Sequence, residues 1–165
     1  MKSTDSAARF TSDVQAFLER GVSLMVGTRD ADLVPELVRA WGPRISRDRR
    51  TMTLCVARAA SGRTVANLLD NGRLAVTCAR PLDSHAIQFW GRCLGTGPAN
   101  RQDLAAVDAH RDLFARVNEG IGVPRPFIEA FWRHELAGSP AMVRIRFAAE
   151  EIFNQTPGPD AGGRL

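Results

Sequence analysis

Six apolar runs with the two-residue period of strands are spread along 165 residues and joined by short polar turns, which leaves this chain few folds. Val22-Ser23-Leu24-Met25-Val26-Gly27-Thr28 reads as a buried strand; the turn Asp30-Ala31-Asp32 follows, and residues 35–41 form a second strand antiparallel to the first. Residues 52–56 supply a third, 74–78 a fourth and 86–90 a fifth. Residues 142–147 alternate strictly, with Val143, Ile145 and Phe147 on one face and Arg144 and Arg146 on the other. Gly91, Gly95 and Gly97 interrupt the pattern after the fifth run, as bulges do where a barrel bends. A small, mostly antiparallel barrel is the economical architecture, because closure removes exposed strand edges.

Helical periods fill the gaps. Ser12-Asp13-Val14-Gln15 reads as a capping box for a first helix with Val14, Phe17 and Leu18 on one face and Gly21 at its end. Leu104, Val107, Phe114 and Val117 make a stripe, and after Pro124 the residues Phe127, Ile128, Phe131 and Trp132 make another. These helices are expected to pack outside the barrel. Between the third and fourth strands lies a short helix, with Ser61 as a favoured N-cap and Gly72 where a left-handed C-cap is wanted. Its first turn carries unpaired N–H groups and the positive end of the dipole, and Arg63 adds a planar cation suited to phosphate. A phosphorylated small molecule is the first ligand to consider; the alternative is a capped surface helix with a solvated arginine.

Composition narrows the function classes. The length and 44% hydrophobic content fit one domain with a single core. No apolar run approaches the roughly 20 residues that cross a bilayer, and Met1 to Ser6 lack the apolar core of a secretion signal, so a cytoplasmic protein with no membrane partner is expected. Cys55, Cys78 and Cys93 are odd in number and widely spaced, which argues against a disulfide framework or a thiolate zinc site. The net charge is +4, but Lys2 is the only lysine and the arginines are scattered. Their densest cluster, Arg44, Arg47, Arg49 and Arg50, reads as a solvated hairpin loop, and without tyrosine or basic-aromatic alternation no nucleic-acid partner is expected. His85, His110 and His134 lack metal-ligand spacing, so no metal site is expected; Glu150, Glu151, Asp103 and Asp108 read as solvated charges rather than a catalytic pair.

In order and spacing these residues resemble the pyridoxamine 5'-phosphate oxidase-like split barrels that bind FMN. Residues 61–71 resemble that family's phosphate-binding helix. Pro35 with the strand after it resembles the opening hairpin, and residues 73–77 and 87–92 resemble the next two strands. The resemblance covers about residues 22–97, and the closing Phe153-Asn154-Gln155-Thr156-Pro157-Gly158-Pro159 looks like the tail of some small members. It implies a mostly β fold with α, a six-stranded antiparallel split β-barrel with packed outer helices. Residues 1–154 then form a single FMN-binding domain with a helical insertion at about 101–136, and residues 155–165 form a Pro- and Gly-rich tail, either disordered or folded across a partner subunit.

Site residues also follow from the resemblance. The family holds the FMN phosphate with Arg and Lys at the helix start, where this chain has Arg63 and Thr64; phosphate binding should therefore lean on Ser61, Gly62 and the helix terminus, with Arg58. The isoalloxazine ring would run along Val38, Arg39, Ala40 and Trp41 on one strand and Val56 and Ala57 on the next, with Asn67 and Gln88 as amide contacts. Flavin carries its own chemistry, so no obligatory catalytic side chain is implied. The expected function is an FMN-dependent oxidoreductase acting on a small molecule, the alternative a carrier of flavin, haem or deazaflavin; a homodimer with the cofactor at its interface is implied. True pyridoxamine 5'-phosphate oxidases end in an Arg-His-Arg motif, whereas this chain ends Asp160-Ala161-Gly162-Gly163-Arg164-Leu165, so vitamin B6 oxidation is not expected.

Overall fold

The computed structural model describes residues 8–136 and 141–165, so the expectation drawn from Met1 to Ser6 falls outside the described residues. Strand alternation decides which side chains fill its centre. β1 (Ser23–Arg29) buries Leu24, Val26 and Thr28, and β2 (Pro35–Ile45) turns Val38 and Ala40 to the same side. β3 (Met52–Ala57) adds Met52, Leu54 and Val56, and β4 (Arg73–Ala79) adds Leu74, Val76 and Cys78. β5 (Ala86–Pro98) and β6 (Met142–Asn154) contribute Phe89, Ile145 and Phe147. The strands close a barrel in the order β1-β2-β3-β6-β5-β4, with every neighbouring pair antiparallel. The chain is therefore a six-stranded antiparallel split barrel with helices packed outside.

β5 and β6 run longer than their apolar patterns. Their pairing shifts register between Trp90 and Gly91 and again between Cys93 and Gly95, where the glycines had pointed to a bend. A Cβ on Gly91 would overlap the carbonyl of Ala148, so only glycine lets the two backbones approach there. β6 continues to Asn154 because β5 pairs with it throughout, although Glu150 and Glu151 carry no apolar signal.

Among the described residues four α-helices pack around the barrel: α1 (Ser12–Leu18), α2 (Gly62–Asp70), α3 (Arg101–Glu119) and α4 (Arg125–Leu136). Thr11, not Ser12, caps α1, since its Oγ1 accepts from the Val14 N–H. α3 lies on β2. Gly42, with φ of 62°, sits beneath it, and a Cβ there would stand 2.8 Å from the Val107 nitrogen. Residues 155–165 return along the chain's own β6: the Asn154 N–H donates to the Gly163 carbonyl, the Gly162 N–H to that of Asn154 and the Leu165 N–H to that of Ile152. Among the described residues no helix is long and apolar enough to cross a membrane.

Candidate functional site

β3 ends at Ala57, a single 3₁₀ turn spans Arg58–Ala60, and α2 begins at Gly62. Ser61 occupies the N-cap position with φ of −114° and ψ of 11°, but its side chain does not bond to the helix. Only 1% of Ser61 and none of Thr64 is exposed, and the hydroxyls of both lack a hydrogen-bond partner among the described residues. The first helical bond runs from the Val65 N–H to the Ser61 carbonyl, so the N–H groups of residues 62–64 have no acceptor within the helix. Buried orphan hydroxyls are costly, and these two lie one helical turn apart at the start of α2, closed off from solvent.

Side chains distant in sequence hold that turn in position. Asn67 donates to Thr28 Oγ1 at 3.1 Å and Asn71, the C-cap, to the Arg29 carbonyl at 2.9 Å, which ties the second half of α2 and its end to β1. Gly72, with φ of 68°, ends the helix as its position had indicated. Arg63 is 65% exposed and faces Glu36 Oε2 at 3.4 Å, a weak surface pair that an incoming dianion can displace. Thr28 and Glu36 thus belong to this site, and neither had a local signal, because each arrives from another strand.

The remaining expected contacts separate. Val38, Ala40 and Val56 point into the barrel, leaving only their backbone for a ligand. Trp41 and Ala57 face outward but are buried under α3 and α4, with Cys55, Val107 and Met142. Trp41 donates its Nε1–H to Glu135 at 2.9 Å and meets His110, Phe114 and Trp132 edge-on, while the Arg111 guanidinium lies 5.1 Å from its ring centroid. Arg39 pairs with the same Glu135 at 2.8 Å. Gln88 lies elsewhere: Arg39, Met25, Thr77 and Gln88 form one outward row across β2, β1, β4 and β5, so three strand spacings, about 14 Å, separate Arg39 from Gln88. Gln88 donates to Thr77 Oγ1 at 2.8 Å and accepts from Trp90.

The next row, Leu37, Gly27, Ala75 and Trp90, is bare. Leu37 is 63% and Trp90 50% exposed, and beside them a cleft of about 480 Å³ runs past Arg29 and Arg73. Such an apolar row on an outer barrel face is the kind of surface that a second subunit covers.

Titration supplies no reactive thiol. Burial pushes the Cys55 thiol up to about 11 and raises those of Cys78 and Cys93. Burial also lowers the His110 imidazole to about 4, opposed by its bond to the Val22 carbonyl. Its Nδ1 accepts from the Gly42 N–H and its Nε2 lies 3.0 Å from Val22 O, so neutral His110 staples α3 to β1 and β2. Asp103 corrects the expectation of a solvated charge: it is buried, and Arg44, expected in a solvated loop, pairs with it.

The start of α2 suits the phosphate end of a flavin mononucleotide: the exposed Arg63 cation and the amides of residues 62–64, which have no acceptor within the helix, are donors, and the closed-off hydroxyls of Ser61 and Thr64 reach a ligand only by rotating outward. No protein-family model matches this sequence, and no curated protein matches it. Solved structures do. An F420 reductase superposes with a TM-score of 0.54 at 14% identity, covering 84% of this chain and 94% of its own. A candidate pyridoxamine 5'-phosphate oxidase from Lactobacillus delbrueckii gives 0.52 at 13% identity, covering 93% and 97%. HupZ of Group A Streptococcus gives 0.51 at 20% identity, covering 93% and 99%. At these identities the likeness is one of fold, and it is the split-barrel fold anticipated from residues 22–97.

Proposed function

We propose that this protein is a cytoplasmic, homodimeric FMN-binding split barrel that acts as an oxidoreductase on a small molecule. The observation that carries the reading is the open start of α2, where the N–H groups of residues 62–64 have no acceptor within the helix, beside the exposed guanidinium of Arg63. Ser61, Thr64 and the amides of Gly62, Arg63 and Thr64 would hold the phosphate, with Arg58 at the rim, and Asn67 would fix the helix through Thr28. Arg39 and the backbone of Val38, Ala40, Trp41, Val56 and Ala57 would border the ring, and Gln88 would meet it from across the sheet or from the partner subunit. The bare row of Leu37 and Trp90 supports a second copy as the cover of that face. Bound flavin supplies hydride and electron transfer; the chain's own residues bind it, orient it and exclude water.

The test is affinity for two ligands that differ only in the phosphate. Arg63→Ala is expected to weaken FMN binding about tenfold while leaving riboflavin binding nearly unchanged. Equal losses for both would remove the phosphate from this helix. Anaerobic reduction of the FMN-loaded protein by NADH or NADPH, followed by reoxidation with oxygen, separates turnover from storage. A deazaflavin is the second reading, supported by the likeness to an F420 reductase, and a visible spectrum of the purified protein distinguishes it from FMN and from haem.

A further inference from the structure

At the opposite end of β3 from α2 lies a second concentration of donors. Arg44 on β2, Thr53 on β3 and Arg146 on β6 share one outward row, with Gly95 of β5 completing it. Arg144, two residues before Arg146 on the same face, stands opposite Gly97. Together with the first turn of α3 these residues enclose a polar cleft of about 480 Å³.

Charge in the cleft is unbalanced. Three guanidinium groups face one carboxylate, that of Asp103. That carboxylate is already engaged, because it accepts from the Asn100 N–H at 2.9 Å and from Arg44, and its side chain is wholly buried. Arg144 reaches it only at 4.0 Å, and Arg146 has no acidic partner among the described residues. Arg44 Nε is buried without an acceptor among the described residues. The row also has an open floor: among the described residues a Cβ on Gly95 would meet nothing within 4 Å, so a side chain there would stand in the cleft.

We propose that this cleft is an anion site, separate from the flavin phosphate position, that takes a compact phosphate ester or diphosphate. The guanidinium fork suits bidentate phosphate contact, and Thr53, Thr96 and Gln102 add neutral donors around it. A nucleic-acid track fits less well, because the cleft is closed on one side by α3 and lacks an aromatic stacking platform. The site does not depend on the flavin reading.

Calorimetric titration of the full chain with inorganic pyrophosphate tests it. Saturable binding that weakens as salt rises is expected, one equivalent of which persists in Arg63→Ala. The double variant Arg144→Ala/Arg146→Ala, both groups being solvent-facing and outside the core, is expected to lose about a hundredfold in affinity, roughly tenfold for each arginine. Gly95→Leu is expected to block binding by filling the floor, with thermal unfolding unchanged. Arg63→Ala is expected to keep that equivalent at the parent's affinity, which separates this site from the α2 start. Binding of a nucleoside diphosphate more tightly than pyrophosphate would identify an ester; the reverse order would identify the free anion. No binding, equal binding by the double variant, loss in Arg63→Ala, or an oligonucleotide bound in preference to pyrophosphate would each overturn the proposal.

Discussion

The starts of α2 and α3 pose the same physical problem and solve it differently. Both leave amides unpaired next to arginine. At α3 the chain satisfies itself: Asn100 Oδ1 accepts from the Asp103 N–H and Asp103 accepts from the Asn100 N–H, a complete capping box, with Arg44 neutralising the buried carboxylate. At α2 the N-cap serine makes no cap bond, and two hydroxyls stay without partners among the described residues. A helix start closed by its own side chains contributes stability, whereas one left open costs stability and keeps donors for a ligand.

The largest contrast should appear on truncating the acidic cap. Asp103→Ala leaves Arg44 half-buried without its counter-charge and opens the capping box, so a loss of about 3 kcal/mol is expected from urea unfolding. A change below about 1 kcal/mol would show that α3 does not depend on this pair. Acid should attack the same helix next. Because neutral His110 binds fewer protons folded than unfolded, its contribution is whole above pH about 6.5 and is lost as pH falls toward 4, in total about 3 kcal/mol. His110→Gln should flatten that slope, and an unchanged slope would mean the imidazole is not the titrating staple.

Smaller effects separate the two caps directly. Asn100→Ala should cost about 1 kcal/mol in thermal unfolding, while Ser61→Ala should cost almost nothing in the ligand-free protein. Thr64→Val, which removes a hydroxyl with no partner among the described residues, should leave the ligand-free protein as stable or up to about 1 kcal/mol more stable. The same substitution should weaken FMN binding, and a variant that loses stability instead would show that the hydroxyl has a partner within the fold.

Much of the barrel could be read locally. Alternation in residues 142–147 marks inward Val143, Ile145 and Phe147 correctly, and Gly91 and Gly95 stand where the β5 register shifts. The short α2 between Ser61 and Gly72 was equally legible, since caps and left-handed glycines act through neighbouring backbone. Asp103 was not. An acidic residue in the first turn of an amphipathic helix ordinarily faces water, and it is buried here because β2 brings Arg44 across 59 positions of sequence to meet it. Trp41 shows the same limit, since nothing near it announces Glu135, 94 residues later.

Local chemistry therefore settled the elements: a two-residue period makes strands wherever the chain goes, and a cap or a glycine ends a helix regardless of what packs on it. Which outward residues are sheltered was settled by assembly. Trp41 and Leu37 stand on the same face of β2, yet α3 and α4 cover the first, while among the described residues the second stays 63% exposed. Burial and pairing energies depend on groups brought together from distant positions, and no short window of sequence contains both partners.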